Sequence, residues 1–445
     1  MIHPLVDAVR KADLVRRIGH VRQLAGLSIE STGPDVLIGE VCEVRPRKGK
    51  RAIRAEVVGL NDDRVVLMPY GSMHGIGAGC EVVATGLVPR IGVGPALLGR
   101  VINAFGEPLD HLPPPAIEGY RPLKSAPLNP MTRPRIDTVL ETGVRCIDSM
   151  LTLGKGQRVG IFAGSGVGKS TLLGMIACHV SADVNVIALI GERGREVREF
   201  IDNHLGPEGL KRSVVIVATS DQPALARARA AYTATAIAEY FRDQGQQVML
   251  TMDSVTRFAM ARREIGLAVG EPPTARGYTP SVFAELPELC ERCGTAASGG
   301  AITALYTVLV EGDDFNEPIS DILRATLDGH IVLSRRLAQQ GHYPAIDVLQ
   351  SASRLLSELV DSPTQALIHD LYEAMSSYEQ NRQMIAMGAY RAGSSADIDR
   401  AIQLQPKISR FLQQQEGQHA RRDEVMAELA DIATAEPRTE VNSDA

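Results

Sequence analysis

One nine-residue run constrains this chain more than any other feature: Ala163-Gly164-Ser165-Gly166-Val167-Gly168-Lys169-Ser170-Thr171. The apolar run 159–162 precedes it and a helical pattern follows, which is the strand, loop and helix context that a phosphate-cradling loop requires. Glycines let main-chain N–H groups approach phosphate oxygens, and the start of the helix adds positive potential. In such a loop Lys169 reaches the outer phosphates and the Ser170 hydroxyl ligates magnesium. ATP and Mg2+ are therefore the expected ligands, held by Gly164, Ser165, Gly166, Val167, Gly168, Lys169, Ser170 and Thr171. The first position of the usual G-x-x-x-x-G-K-[ST] pattern is Ala163, which suits the turn only where φ stays negative.

A loop of this kind needs a sheet behind it. Runs 158–162, 184–190, 213–218, 248–252 and 302–310 read as strands with helical runs between them, the signature of a largely parallel sheet covered on both faces. Asp253 follows the run 248–252 and is placed to hold magnesium through water. Glu192 follows Gly191 just past the run 184–190, beyond the carboxyl ends of the strands, where ligands collect. It is the candidate for orienting and polarising an attacking water. Glu196 and Glu199 are rivals that a helical continuation is expected to turn away, and Arg193 either touches the γ-phosphate or forms a salt bridge.

A chain of 445 residues exceeds what one core usually supports. Residues 1–30 read as a short helix, with Val6, Val9, Leu14 and Ile18 on one side and Arg10, Lys11, Arg16, Arg17 and Arg22 elsewhere. Residues 31–90 carry short β-rich runs, 36–38, 55–58, 65–68 and 81–83, that suggest a small barrel. The nucleotide-binding unit is expected over 91–362, reached through a proline-rich stretch at 109–135. Residues 363–445 read as a helical domain, with helices near 366–387, 397–402 and 406–415, then a charged helix and a polar tail.

Composition excludes some functions. A net charge of -6, with 4% aromatic residues, no Trp and essentially Tyr70 alone in 35–85, disfavours a nucleic-acid partner. The chain has no apolar run of membrane-spanning length and no cleavable leader pattern, so a cytoplasmic protein is expected. Cys290 and Cys293 form a CxxC without a second ligand pair, which reads as buried or incidental thiols rather than a metal site.

The segments Gly191-Glu192-Arg193-Gly194-Arg195-Glu196-Val197, Ala218-Thr219-Ser220-Asp221-Gln222-Pro223, Met252-Asp253-Ser254-Val255-Thr256-Arg257-Phe258 and Asp328-Gly329-His330-Ile331-Val332-Leu333-Ser334-Arg335 resemble those of the type III export ATPases, relatives of the rotary ATP synthase catalytic subunit. The resemblance covers nearly the whole chain. It implies an α/β fold: a RecA-like P-loop core with a largely parallel sheet, preceded by a small N-terminal β-barrel and followed by a helical C-terminal domain. It also implies a ring of six identical chains with ATP between neighbours. On this resemblance Glu192 is the catalytic glutamate, Asp253 the magnesium acid, and Arg193 and Arg257 phosphate contacts. Tyr343 packs on adenine and Arg354 is an arginine finger reaching the neighbouring site; from the residues alone they are core packing and a surface arginine. The segments 385–393 and 399–402 look more like the flagellar than the injectisome branch. The implied partners are an export regulator, central-stalk-like proteins, export substrates with their chaperones, and a peripheral membrane contact at the export gate.

Overall fold

The computed structural model describes residues 16–47, 52–61, 64–310, 312, 314–315 and 317–434. The chain first closes a six-stranded antiparallel barrel from β1 (Ile18–Ala25), β2 (Ser28–Thr32), β3 (Val41–Arg45), β4 (Ile53–Asn61), β5 (Arg64–Pro69) and β6 (Glu81–Leu87), in the order β1-β2-β5-β4-β3-β6. Alternate residues such as Val21, Ile29, Val44, Val57, Leu67 and Val82 fill its interior.

Two sequence expectations need correction here. The basic helix through residue 30 is replaced from Ile18 onward by β1 and β2, whose outward faces are polar enough to hide their alternation; its residues 1–15 lie outside the described residues. Residues 36–38 form no strand, and Leu37 and Ile38 are exposed on a loop.

β7 (Arg90–Val93) pairs antiparallel with β9 (Gly119–Pro122), a short strand inside the proline-rich stretch, and β8 (Arg100–Asn103) between them joins the main sheet. A two-residue ribbon, β10 (Val139–Leu140) with β11 (Leu153–Gly154), leads into the core. The core strands are β12 (Arg158–Ala163), β13 (Val184–Ile190), β14 (Ser213–Ala218), β15 (Gln247–Asp253), β17 (Ala301–Leu309) and β18 (Gly329–Leu333), edged by the short antiparallel β16 (Gly294–Thr295) and β19 (Ala352–Ser353). Across the sheet the order is β19-β18-β12-β17-β15-β13-β14-β8, parallel from β18 to β8. β13 and β14 are buried along their whole length, as sheets covered on both faces demand. The register aligns Ala163 with Leu309 and Leu333, and Leu189 with Asp253, so the carboxyl ends of these strands finish at one edge.

The C-terminal helices are Ser362–Ala386, Ala396–Leu412 and Arg422–Ala433, and the polar tail at 435–445 lies outside the described residues. The two helices expected around Pro406 are one. Ala401, Leu404, Ile408, Phe411 and Leu412 bury a continuous stripe across the proline. That burial outweighs the roughly 3 kcal/mol that an interior proline costs.

A buried ion pair ties the layers together. Arg292, 2% exposed, donates through Nε and Nη2 to both Glu239 oxygens at 2.8 Å and through Nη1 to the Leu123 carbonyl at 2.6 Å. It therefore joins the long helix Ala224–Asp243 to the proline-rich stretch. Glu239→Ala strands the guanidinium and is expected to cost about 3–5 kcal/mol, read as a lower urea midpoint of the core transition. A midpoint equal to that of the unaltered chain would show that the pair adds nothing.

Candidate active site

The phosphate loop leaves β12 at Ala163 and turns into the helix Lys169–His179 through Gly168, whose φ of 88° an L side chain rarely adopts. Apart from glycines, positive φ among the described residues belongs to His111 and Arg276, so Ala163 meets the condition its position imposes. Gly164, Ser165, Gly166, Gly168, Lys169, Ser170 and Thr171 line a cleft of about 580 Å³. Val167 does not; its side chain is 2% exposed in the core, leaving only its main chain for a ligand.

Three charged groups meet at the back of this cleft. Lys169 Nζ ion-pairs with Asp253 Oδ1 and lies 3.7 Å from Glu192 Oε1. Thr307 on β17 donates its hydroxyl to Asp253 Oδ1 at 2.7 Å, which fixes the carboxylate at the end of β15. Glu192 leaves β13 through Gly191, where φ is 72° and a Cβ would meet the Arg257 side chain at 2.9 Å. Only glycine permits that turn and that approach together.

Burial and the neighbouring Asp253 charge push the Glu192 carboxyl up to about 7, and Lys169 offsets this only in part. Burial pulls the Lys169 ammonium down, but Asp253 and Glu192 more than restore it, so its pKa is raised and it stays charged. A base with a pKa near 7 works only when deprotonated. In the free enzyme kcat/KM for ATP should therefore rise about tenfold from about pH 6 to about pH 8, with a midpoint near 7. A flat profile across that window would remove Glu192 as the titrating group.

The other expected residues divide. Arg257 lines the cleft, and its Nε is buried with no hydrogen-bond partner among the described residues. Arg193 also lines the cleft, but its exposed side chain pairs with Glu196 at 3.7 Å. Glu196 is not turned away: it lines the cleft, and its charge adds to the upward push on the Glu192 carboxyl. Glu192 and the extended Arg193 precede the helix Gly194–Glu199, so no helical turn between them carries Glu196, in its first turn, away from the cleft. Glu199 is exposed.

Tyr343 is 45% exposed and is not core packing. Its ring lies 3.4 Å from where a Cβ on Gly168 would sit, beside a second cavity of about 640 Å³ that adjoins the loop. The far wall is the segment 413–418, which follows the C-terminal helix Ala396–Leu412. Gln414, 6% exposed, donates its backbone N–H to the Tyr343 carbonyl at 2.9 Å and its side-chain amide to the Gly143 carbonyl at 2.8 Å, and accepts from the Arg145 N–H at 2.7 Å.

Arg354 lies elsewhere. Exposed beside β19, it donates to the Arg324 carbonyl at 2.8 Å. Ser353 pairs with Gly329 at the amino end of β18, whereas the loop adjoins Leu333 at the carboxyl end, a separation of about 13 Å along the strand. Arg354 does not line the cleft of its own chain.

Sequence reasoning missed Thr307, Gln414 and Arg335, the last of which also lines the cleft. A threonine in the strand beside the one ending in Asp253 was a usable signal; nothing local marked Gln414. Cys290 and Cys293 are buried free thiols, with Cys293 Sγ 3.2 Å from the Tyr306 hydroxyl. His330 packs edge-on to Phe162. For magnesium, the Ser170 hydroxyl and the Asp253 carboxylate supply hard oxygens, the short protein donor set that suits this ion when phosphates and water complete its shell.

Comparison with known proteins finds relatives along most of the chain. Residues 143–353 match the ATP synthase alpha/beta family, nucleotide-binding domain; residues 21–86 match the beta-barrel domain of that family; and residues 360–431 match the T3SS EscN ATPase C-terminal domain. The chain is 55% identical to a flagellum-specific ATP synthase of Bacillus subtilis, over 96% of this chain and 98% of that one. It is 49% identical to a type 3 secretion system ATPase of Xanthomonas euvesicatoria, over 92% and 94% respectively. Its fold matches the assembled ATPase EscN in complex with its central stalk EscO, from enteropathogenic E. coli, with a TM-score of 0.86 and 43% identity over 93% of this chain and 100% of that one.

Proposed function

We propose that this chain, which belongs to the flagellar and type III secretion ATPases of the ATP synthase alpha/beta family, energises flagellar protein export as a magnesium-dependent ring of six. It is an ATP-hydrolysing enzyme of the P-loop class. The observation that carries the catalytic reading is the convergence of Lys169, Glu192 and Asp253 at the back of one cleft.

ATP binds with its phosphates against the main-chain amides of 164–171 and Lys169 leaves Asp253 for the outer phosphates. Ser170, and Asp253 through water, would hold Mg2+, which would supply charge neutralisation at the phosphate oxygens. Glu192 orients the attacking water and takes its proton, passing it toward Glu196. Arg257 donates to the γ-phosphate, with Arg193 released from Glu196 to join it. Tyr343 stacks on adenine. Arg354, held away from its own cleft, reaches the cleft of the next chain.

The identity of 55% with a flagellar relative against 49% with an injectisome relative supports the flagellar client. The stalk in the EscN complex supports a central-stalk-like partner. Export regulator, substrates, chaperones and a peripheral seat at the export gate follow from the same family reading; among the described residues no helix is long and apolar enough to cross a membrane.

The test has two parts. Purified protein should show specific ATPase activity that rises with protein concentration and disappears with EDTA. Introduced into a bacterium deleted for its own flagellum-specific ATPase, the chain should restore swimming, while leaving needle secretion unrestored in an injectisome ATPase deletion. The opposite pattern would assign it to the injectisome.

A further inference from the structure

The seam between barrel and core encloses a cavity of about 320 Å³, far from the phosphate loop in its lining residues and within the size range of small-molecule sites. Val57 and Val58 of β4 form one wall. Leu225 of the helix Ala224–Asp243 and Ile265 of the helix Val255–Ala268 form the other. These surfaces are apolar, so an occupant needs an apolar body.

The charged residues at the cavity differ in what they have left to give. Arg229 has given three of its five N–H donors: Nε to the Ala104 carbonyl at 3.1 Å, Nη2 to the Arg90 carbonyl at 3.0 Å and Nη1 to the Tyr70 hydroxyl at 3.2 Å. Arg262 gives Nη2 to Glu285, and its Nε is buried without a partner among the described residues. Lys124 Nζ sits 5.6 Å over the Tyr232 ring and reaches Glu285 only at 3.8 Å. On the acidic side, Glu56 accepts from the Tyr70 hydroxyl at 2.6 Å and Glu271 from the Ser281 N–H at 3.1 Å. Burial holds the Glu56 carboxyl above its ordinary range, which reduces the negative charge it brings. The larger spare capacity is therefore cationic and belongs to Arg262 and Lys124.

We propose that this seam is a second ligand site that takes a small amphipathic organic anion, its apolar body between β4 and the two helices and its carboxylate or sulfonate on Arg262 and Lys124. The site is joined to the catalytic cleft by one rigid element. Arg262 lies five residues beyond Arg257 on the helix Val255–Ala268, an axial distance of about 7.5 Å. An occupant would thus bear on the helix whose first turn lines the phosphate cleft.

The probe is 1-anilinonaphthalene-8-sulfonate, an aromatic anion whose emission rises in apolar sites, titrated into the full chain without nucleotide. The expected result is saturation at about one dye per chain, unaffected by excess MgADP and displaced by octanoate. Val58→Trp fills the cavity and Arg262→Gln removes the charge at similar volume. Each should weaken the dye by about tenfold or more at unchanged basal ATPase activity. If the tryptophan variant fails to fold, Arg262→Gln carries the test alone. Emission that never saturates, displacement by MgADP, or wild-type affinity in folded Arg262→Gln would overturn the proposal. None of these results depends on which secretion system the ATPase serves.

Discussion

Glu192→Gln should leave an enzyme that holds ATP and scarcely cleaves it, with kcat reduced by about 10³-fold, the middle of the range for a lost general base. The substitution keeps the volume and one hydrogen-bonding oxygen, so the turn at Gly191 and the approach of Arg257 survive. It removes the group that titrates near 7, and with it the acid limb of kcat/KM. Lys169 loses only its weaker neighbour at 3.7 Å and keeps the Asp253 ion pair, so the phosphate loop stays charged and ordered for binding. A fluorescent ATP analogue reports affinity and a single-turnover assay reports cleavage. Turnover within about tenfold of the unaltered enzyme would transfer the role of base to Glu196 or to solvent.

The second large effect requires two damaged proteins. Arg354→Ala and Lys169→Ala should each be nearly inactive, the first by about 10³-fold or more for the loss of a finger and the second because the loop no longer neutralises phosphate charge. Arg354 lies the length of β18 away from its own cleft, so in the proposed ring the two lesions are expected on opposite sides of a shared interface. An equal mixture should pair an intact loop with an intact arginine at one half times one half of its interfaces, and recover about a quarter of full activity. No recovery on mixing, with both variants still assembling, would mean that Arg354 serves its own chain or none.

Some of this architecture could be read because it is written locally. The phosphate loop needs small residues, a lysine and a hydroxyl at fixed spacing, and no distant contact alters that requirement. Glu192 and Asp253 were legible because each directly follows an apolar strand, and parallel strands deliver their carboxyl ends to one edge. Glu196 was misjudged through where the helix begins: it starts at Gly194, after an extended Arg193, so Glu192 is no part of the turn that was expected to carry Glu196 away. β1 and β2 escaped notice because a barrel wall buries one residue in two and leaves His20, Arg22 and Glu30 on the outside or partly so. Pro406 suggested a break that side-chain burial overrode. Tyr343 and Arg354 depend on what lies across a cavity or a chain boundary, information that no local pattern holds and that only resemblance supplied.

The Gln414 contacts bear on how this molecule can be taken apart. A sequence-based border near 362 invites removal of everything beyond it to leave a free-standing ATPase. Such a cut would deprive the Gly143 carbonyl and the Arg145 amide of their side-chain partner and the Tyr343 carbonyl of the Gln414 N–H. Three main-chain groups would lose satisfaction at the rim of the fuel pocket in one stroke. The C-terminal region thus supplies part of the wall of the cavity beside the phosphate loop, and a shortened chain would report on a damaged cavity rather than on a minimal engine.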